Sequence, residues 1–365
     1  MEQSPIWRAD ERGGLQLREL YHRHGYLPYR MSKFEPYDLY AKNRSFLVSE
    51  NILTFTDTDG RLMALKPDVT LSIVKNAQPP AGALEKVYYH ENVYRTTSAG
   101  LGFREIMQTG LECIGALDLT AMGEVLKLAA ESLGLLGGGA YLLDLGHTGL
   151  VSGLLEGVRD NSVREQLLAE LGRKNAPAID RLCAQAGVER ELAERLCGLS
   201  RLYGPPAQVL PELEALAGGA RAALEELKGL CRIMESLGLS EGLRLDFSIA
   251  NDMRYYNGII FRGYLPGLAS GVLAGGRYDN LLRRMGKTGQ AIGFAVYLDQ
   301  LERLGAGGEY DVDTLLLYGP EADPAEVARR AASLLSGGKS VRVEREVPQG
   351  LRWKELVRFE EGGPA

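Results

Sequence analysis

The chain has 365 residues, 45% hydrophobic and 25% charged, a length for two or three domains and a composition ordinary for a soluble globular protein. Its 42 basic and 48 acidic residues give a net charge of −6, which argues against a broadly basic nucleic-acid-binding surface without excluding a local patch. No apolar run reaches the roughly 18 residues of a membrane span, and the first residues lack the apolar core of a signal peptide, so a cytoplasmic protein without a membrane partner is expected.

From the N-terminus, Leu15 to Gly25 reads as a helix, and Leu47 to Asp57 with Leu62 to Leu65 as strands around a turn at Thr58-Asp59-Gly60. Val87 to Tyr94 and Met107 to Gly115 read as an antiparallel pair. Ala121 to Leu135 has its apolar residues at helical spacing, and Tyr141 to Gly146 reads as a strand. From about Val151 to Leu239 the pattern is helical almost throughout, as in Leu224, Leu227, Leu230 and Met234, with a break at Pro205-Pro206. The β-rich pattern resumes at Gly242 and ends in a helix from Leu298 to Leu304. A strand from Thr314 to Tyr318 follows. Asp323-Pro324-Ala325-Glu326 then starts a helix that runs to about Leu335, and Ser340 to Arg345 is a second strand. The tail after Gln349 has no clear pattern. Four segments are therefore expected: residues 1–150 and 241–305 as two halves of one β-rich domain, 151–240 as a helical insertion, and 306–365 as a short α/β piece.

The most informative stretch runs from Asn251 to Asp279, NDMRYYNGIIFRGYLPGLASGVLAGGRYD. Tyr255 and Tyr256 lead into one strand, and a glycine-rich turn leads into a second that ends in GGRYD. Bare backbone at Gly275-Gly276 permits close approach of a ligand, and tyrosine hydroxyls with the Arg277 guanidinium suit a small polar ligand with a ring and a carboxylate. Gln108 and Glu112, four apart on an extended strand, face the same way.

These residues resemble the signatures of histidyl-tRNA synthetase. Ala274 to Leu281, AGGRYDNL, differs at one position from the family's AGGRYDGL, and the Tyr-Tyr pair precedes it in the right order. Leu65 to Thr70, LKPDVT, resembles the family's RPEGT-like unit, with Asp68 and Thr70 matching by type. Val87 to Gly115 resembles motif 2 of the class II synthetases, with Arg95, Gln108 and Glu112 at the family's positions, and Ala291 to Leu304 stands where motif 3 belongs. The resemblance covers residues from about 10 to 305 apart from the insertion. It implies an α+β fold: a class II aminoacyl-tRNA synthetase-like antiparallel sheet flanked by helices, with an all-helical insertion and a short α/β C-terminal remnant. It also implies a histidine pocket made by Asp68, Thr70, Arg95, Gln108, Glu112, Tyr255, Tyr256, Arg277 and Tyr278.

The departures decide the activity expected. Thr97 stands for the motif 2 glutamate, Gln300 for the motif 3 arginine with Tyr297 for a glycine beside it, and Asn251 for the arginine that promotes adenylate formation. Ser32 replaces the motif 1 proline. Adenylyl transfer relies on cations at the developing phosphate charge. Arg254 is a substitute only if it can turn inward, and strand alternation directs it to the face opposite Asn251. About sixty residues follow motif 3, too few for a full anticodon-binding domain, so tRNA is not expected as a partner.

This combination resembles the catalytically silent paralogues of histidyl-tRNA synthetase that regulate ATP phosphoribosyltransferase. The resemblance implies a non-enzymatic subunit that binds histidine for feedback on the first step of histidine biosynthesis. Its implied assembly is a homodimer joined to short catalytic subunits in a hetero-oligomer. The alternatives are a histidine-tRNA ligase or ligase subunit, which would exchange pyrophosphate, and an amino-acid-binding module serving another partner. The segment of Asp68 and Thr70 with the loop Thr96 to Gly102 is the expected moving element. Cys113, Cys183, Cys197 and Cys231 lack C-x-x-C spacing, and His22, His24, His90 and His147 are scattered, so neither cofactor nor metal is expected.

Overall fold

The computed structural model describes residues 8–47, 51–96, 102–251, 255–303 and 310–359. They fall into two compact units, one within residues 10–304 and one formed by residues 305–365 with the first nine.

The larger unit contains, in chain order, α1 (Ala9–Arg23), β1 (Leu27–Pro28), β2 (Phe34–Pro36), α2 (Tyr37–Ala41), β3 (Thr54–Thr56), β4 (Leu62–Leu65), α3 (Thr70–Asn76), β5 (Leu84–Thr96), β6 (Phe103–Gly115), α4 (Leu119–Leu136) and β7 (Leu142–His147). The insertion follows as α5 (Thr148–Leu155), α6 (Asn161–Gly172), α7 (Ala176–Gln185), α8 (Arg190–Arg201), β8 (Tyr203–Gly204), α9 (Pro206–Leu216) and α10 (Arg221–Ser236). Then come β9 (Leu243–Asp246), β10 (Ile259–Tyr264), β11 (Leu273–Arg277), α11 (Asp279–Arg284), β12 (Gln290–Tyr297) and a 3-10 turn at Leu298–Arg303.

Nine strands form one sheet in the order β1-β5-β6-β12-β11-β10-β7-β9-β8, antiparallel from β5 through β7. Cross-strand register aligns Gly110, Ala295, Ala274, Arg262, Asp144 and Arg244 in one row, and side chains in such a row share a face. This row, called the front face below, runs from three small residues to three charged ones.

The back face is covered by α1 and α4. Tyr21 of α1 bonds Ser132 of α4 at 3.0 Å and packs edge-on against Phe294 at 5.8 Å. Leu133 of α4 fills the space over Gly263, where a Cβ would lie 2.6 Å from it. On the front face α2, β4 and α3 bring Tyr40, Ala64, Leu71 and Ile73 into one apolar cluster with Tyr89, Tyr255 and Tyr278. α4 begins at the N-cap Asp118, whose side chain accepts from the Ala121 N–H at 2.7 Å, so the helix starts two residues earlier than its apolar spacing suggests.

The smaller unit holds β13 (Val312–Leu317), α12 (Pro324–Ser336), β14 (Val341–Glu344) and β15 (Trp353–Arg358), with β13 central and parallel to both neighbours. The third strand corrects the expectation of a patternless tail. β15 is an edge strand with mostly exposed, charged residues, so its pairing with β13 rather than any alternation of its own defines it. The helix expected at Leu298 is likewise a 3-10 turn. Thr97 and Arg254, and the loop from 97 to 101, lie outside the described residues. No helix among the described residues is long and apolar enough to cross a membrane.

Candidate functional site

A half-open cavity with about 60 Å3 of room for water lies on the front face where β6, β11 and β12 meet the start of α3. Glu112 is its deepest acid, with 2% of its surface exposed. Thr70 Oγ1 donates to Glu112 Oε1 at 2.7 Å, and the Tyr278 hydroxyl donates to Oε2 at 2.5 Å. A glycine must lie opposite. A Cβ at Gly293 would stand 1.7 Å from Glu112 Oε2, so only a bare backbone leaves room for the carboxylate. At Gly110 a Cβ would meet the Tyr89 hydroxyl at 2.5 Å, and its absence lets that ring lie across the strand.

Thr70 opens α3 and Asp68 stands just before it, and both are buried; Asp68 Oδ1 accepts the Leu71 N–H at 2.9 Å and so closes the first turn of the helix. Arg95 on β5 donates through Nε to the Pro67 carbonyl at 3.0 Å, which ties the β5 rim to the segment before α3. Gln108, 3% exposed, has no hydrogen-bond partner for its Nε2. The Tyr255 and Tyr256 rings meet edge-on with centroids 4.7 Å apart, and Tyr255 lies 5.9 Å from Tyr278.

The electrostatics follow from burial. Loss of water pushes the Glu112 carboxyl up to about 8, against the lowering effect of the Tyr278 and Thr70 hydroxyls, and the nearby Asp68 charge adds to the rise. Burial also raises Asp68, opposed by the Leu71 N–H and the Arg95 charge. Tyr278 and Tyr255 are held neutral, well above the usual phenol range, by burial first and by neighbouring acidic groups second. Two acids with raised values, one unfilled amide donor and an arginine at the rim can accept a ligand that is cationic at one end, polar in the middle and anionic at the other.

Eight of the nine residues expected from sequence line this cavity: Asp68, Thr70, Arg95, Gln108, Glu112, Tyr255, Tyr256 and Tyr278. Arg277 does not. Alternation along β11 sends it to the face opposite Ala274, where it pairs with Asp279 at 2.8 Å and Glu226 at 3.2 Å. Sequence reading missed Tyr89 and treated Tyr297 only as a departure, yet both line the cavity. Tyr297 pairs across β6 with Gln108, a relation readable once the strand register is known. The amide of Gln300 accepts from Ser270 at 3.2 Å and donates to Asp299 at 3.0 Å, away from the cavity. All four cysteines are buried and free, and no group of metal-ligating side chains occurs among the described residues.

Comparison with known proteins identifies the family. The sequence profile described as Histidyl-tRNA synthetase matches residues 5–301. The ATP phosphoribosyltransferase regulatory subunit of Clostridium kluyveri is 32% identical over 88% of this chain and 85% of its own. The subunit of the same description in Symbiobacterium thermophilum is 33% identical over 81% of this chain and 76% of its own. Among solved structures, an ATP phosphoribosyltransferase regulatory subunit/histidyl-tRNA synthetase from Bacillus halodurans superposes with a TM-score of 0.76 at 25% identity, covering 96% of this chain and 93% of that one. The chain belongs to the histidyl-tRNA synthetase family and, within it, to the regulatory subunits of ATP phosphoribosyltransferase.

Proposed function

We propose that this chain, as a member of that branch, is a non-catalytic subunit whose front-face cavity binds free histidine and conveys feedback to a separate ATP phosphoribosyltransferase catalytic subunit. The observation that carries the reading is Glu112: a buried acid held by two hydroxyls beside the unfilled Gln108 donor. An imidazole offers an N–H for the carboxylate and a ring nitrogen lone pair for the amide. Asp68 would meet the amino group, and Arg95 at the rim supplies the cation for the carboxylate. The neutral amide of Gln300 and the absence of arginine at positions 251 and 300 argue against adenylate formation. A homodimer within a hetero-oligomer is part of the same reading.

Titration calorimetry of the full chain with histidine and with histidinol tests the ligand. Histidine is expected to bind more tightly; no heat with either at millimolar concentration sinks the reading. The regulatory half is tested by assaying the catalytic subunit with this chain across a histidine series. Tyr278→Phe with Glu112→Gln should shift inhibition to higher histidine, and an unchanged series means that the cavity is not the sensor. Pyrophosphate exchange dependent on histidine and ATP would return the chain to the ligases.

A further inference from the structure

The insertion grips the sheet from both faces. On the front, Lys174 after α6 donates to Asp246 of β9 at 2.7 Å, and its ammonium lies 4.3 Å from the centre of the Tyr203 ring. Lys174 has φ +56, the one non-glycine residue with positive φ among the described residues. On the back, both oxygens of Glu226 on α10 are engaged: Oε1 accepts from His147 Nε2 at 3.1 Å and Oε2 from Arg277 Nη1 at 3.2 Å. His147 Nδ1 accepts the Gly149 N–H at 3.0 Å, which puts the proton of the neutral ring on Nε2, facing Glu226.

Arg277 is also fixed from its other side. Its Nε donates to Asp279 Oδ2 at 2.9 Å, and Asp279 Oδ1 accepts the Ala291 N–H at 3.0 Å. Its stem lies on bare backbone, because a Cβ at Gly258 would stand 2.8 Å from Arg277 Cδ. The Arg277 carbonyl accepts the Asn257 N–H at 2.9 Å, and the next residue, Tyr278, donates its N–H to the Ala291 carbonyl at 2.8 Å.

The two clamps therefore end in different places. Lys174–Asp246 ends on β9, near the edge of the sheet. Glu226 ends on the residue next to Tyr278, whose hydroxyl reaches Glu112 inside the cavity. A guanidinium held between two carboxylates has little freedom, so Arg277 is a positioning residue that sets the backbone aiming Tyr278. Any shift of Tyr278 when the cavity fills must strain or relax the Glu226 bridge.

We propose that α10 of the insertion reads occupancy of the cavity through Glu226, by way of Arg277 and Tyr278. The inference rests on the reading that the cavity takes histidine. It makes α10, on the opposite face of the sheet from the cavity, the element that carries the signal outward.

Hydrogen–deuterium exchange of the full chain, with and without free histidine at saturating concentration, tests it. In the unaltered chain histidine is expected to protect β6 and β11 and also to change exchange in α10. Glu226→Gln should keep the protection of β6 and β11 and lose the change in α10, and Glu226→Asp should restore part of it. Lys174→Met, which breaks the front clamp alone, should keep both responses. An α10 response in Glu226→Gln equal to that of the unaltered chain overturns the inference, as does its equal loss in Lys174→Met. Protection of β6 with no α10 response in the unaltered chain overturns the inference and leaves histidine binding standing. No protection at β6 overturns both.

Discussion

Glu112 and Asp144 are carboxylates buried on the same face of the same sheet, one on β6 and the other on β7. Burial raises both, to about 8 for Glu112 and about 6 for Asp144. Their neighbours differ. Glu112 has two neutral hydroxyl donors, a glycine opposite and open space in front. Asp144 lies in a row between Arg262 and Arg244, and their charges with that of Lys174 pull it down while Asp246 pushes it up. A buried acid among neutral donors and empty space is left wanting a cation. One flanked by the protein's own cations already has its charge opposed within the fold.

The contrast breaks most sharply at Gly293. Gly293→Ala forces a methyl onto the Glu112 carboxylate and the Leu111 carbonyl, at 1.7 and 2.5 Å before relaxation. Loss of histidine binding and of about 3 kcal/mol of stability is expected, measured by calorimetry and chemical denaturation. A variant that binds as before would show that Glu112 is not held where the cavity needs it.

The next effect is in pH. The folded-state value of Glu112, about 8, lies above its ordinary 4.5, so the folded empty chain keeps a proton that the unfolded chain has released. Its contribution is undiminished below about pH 4.5 and is lost as pH rises to about 8, at up to about 1.4 kcal/mol per pH unit. Denaturation midpoints across that window should fall more steeply for the unaltered chain than for Glu112→Gln. Parallel curves would mean that the acid is already ionised in the empty cavity.

Asp144→Asn should do least. The same sign holds over a narrower window, from the ordinary 3.8 to about 6, because the flanking cations limit the rise, so the total loss is smaller. Histidine affinity should be unchanged, since Asp144 does not line the cavity. A large loss of affinity would erase the distinction between the two acids.

How much of this could be read from the chain depends on what each residue leans upon. The β5–β6 pair and the shared direction of Gln108 and Glu112 follow from local alternation, and the structure has them so. The direction of Arg277 obeys the same alternation, but the motif suggested a cluster, and the motif was the worse guide. The helix that Thr70 opens was not legible, because Lys66-Pro67 precedes it and α3 is only seven residues long; its helical form comes from packing in the front-face cluster. Glu226 was invisible. It sits on α10 as one of many surface-patterned acids, and only the fold brings it 51 residues along the chain to Arg277.

The row Gly110–Ala295–Ala274 has a practical side. Uncharged and small, its Ala274 and Ala295 line the cavity without bringing a polar side chain to it. If the cavity takes histidine as proposed, Ala274 and Ala295 limit the size of ligand it admits, apart from the acids and tyrosines proposed to recognise it. On that proposal, an engineer seeking a desensitised histidine producer, or a sensor retuned to a larger or smaller imidazole compound, has two adjacent dials in Ala274 and Ala295.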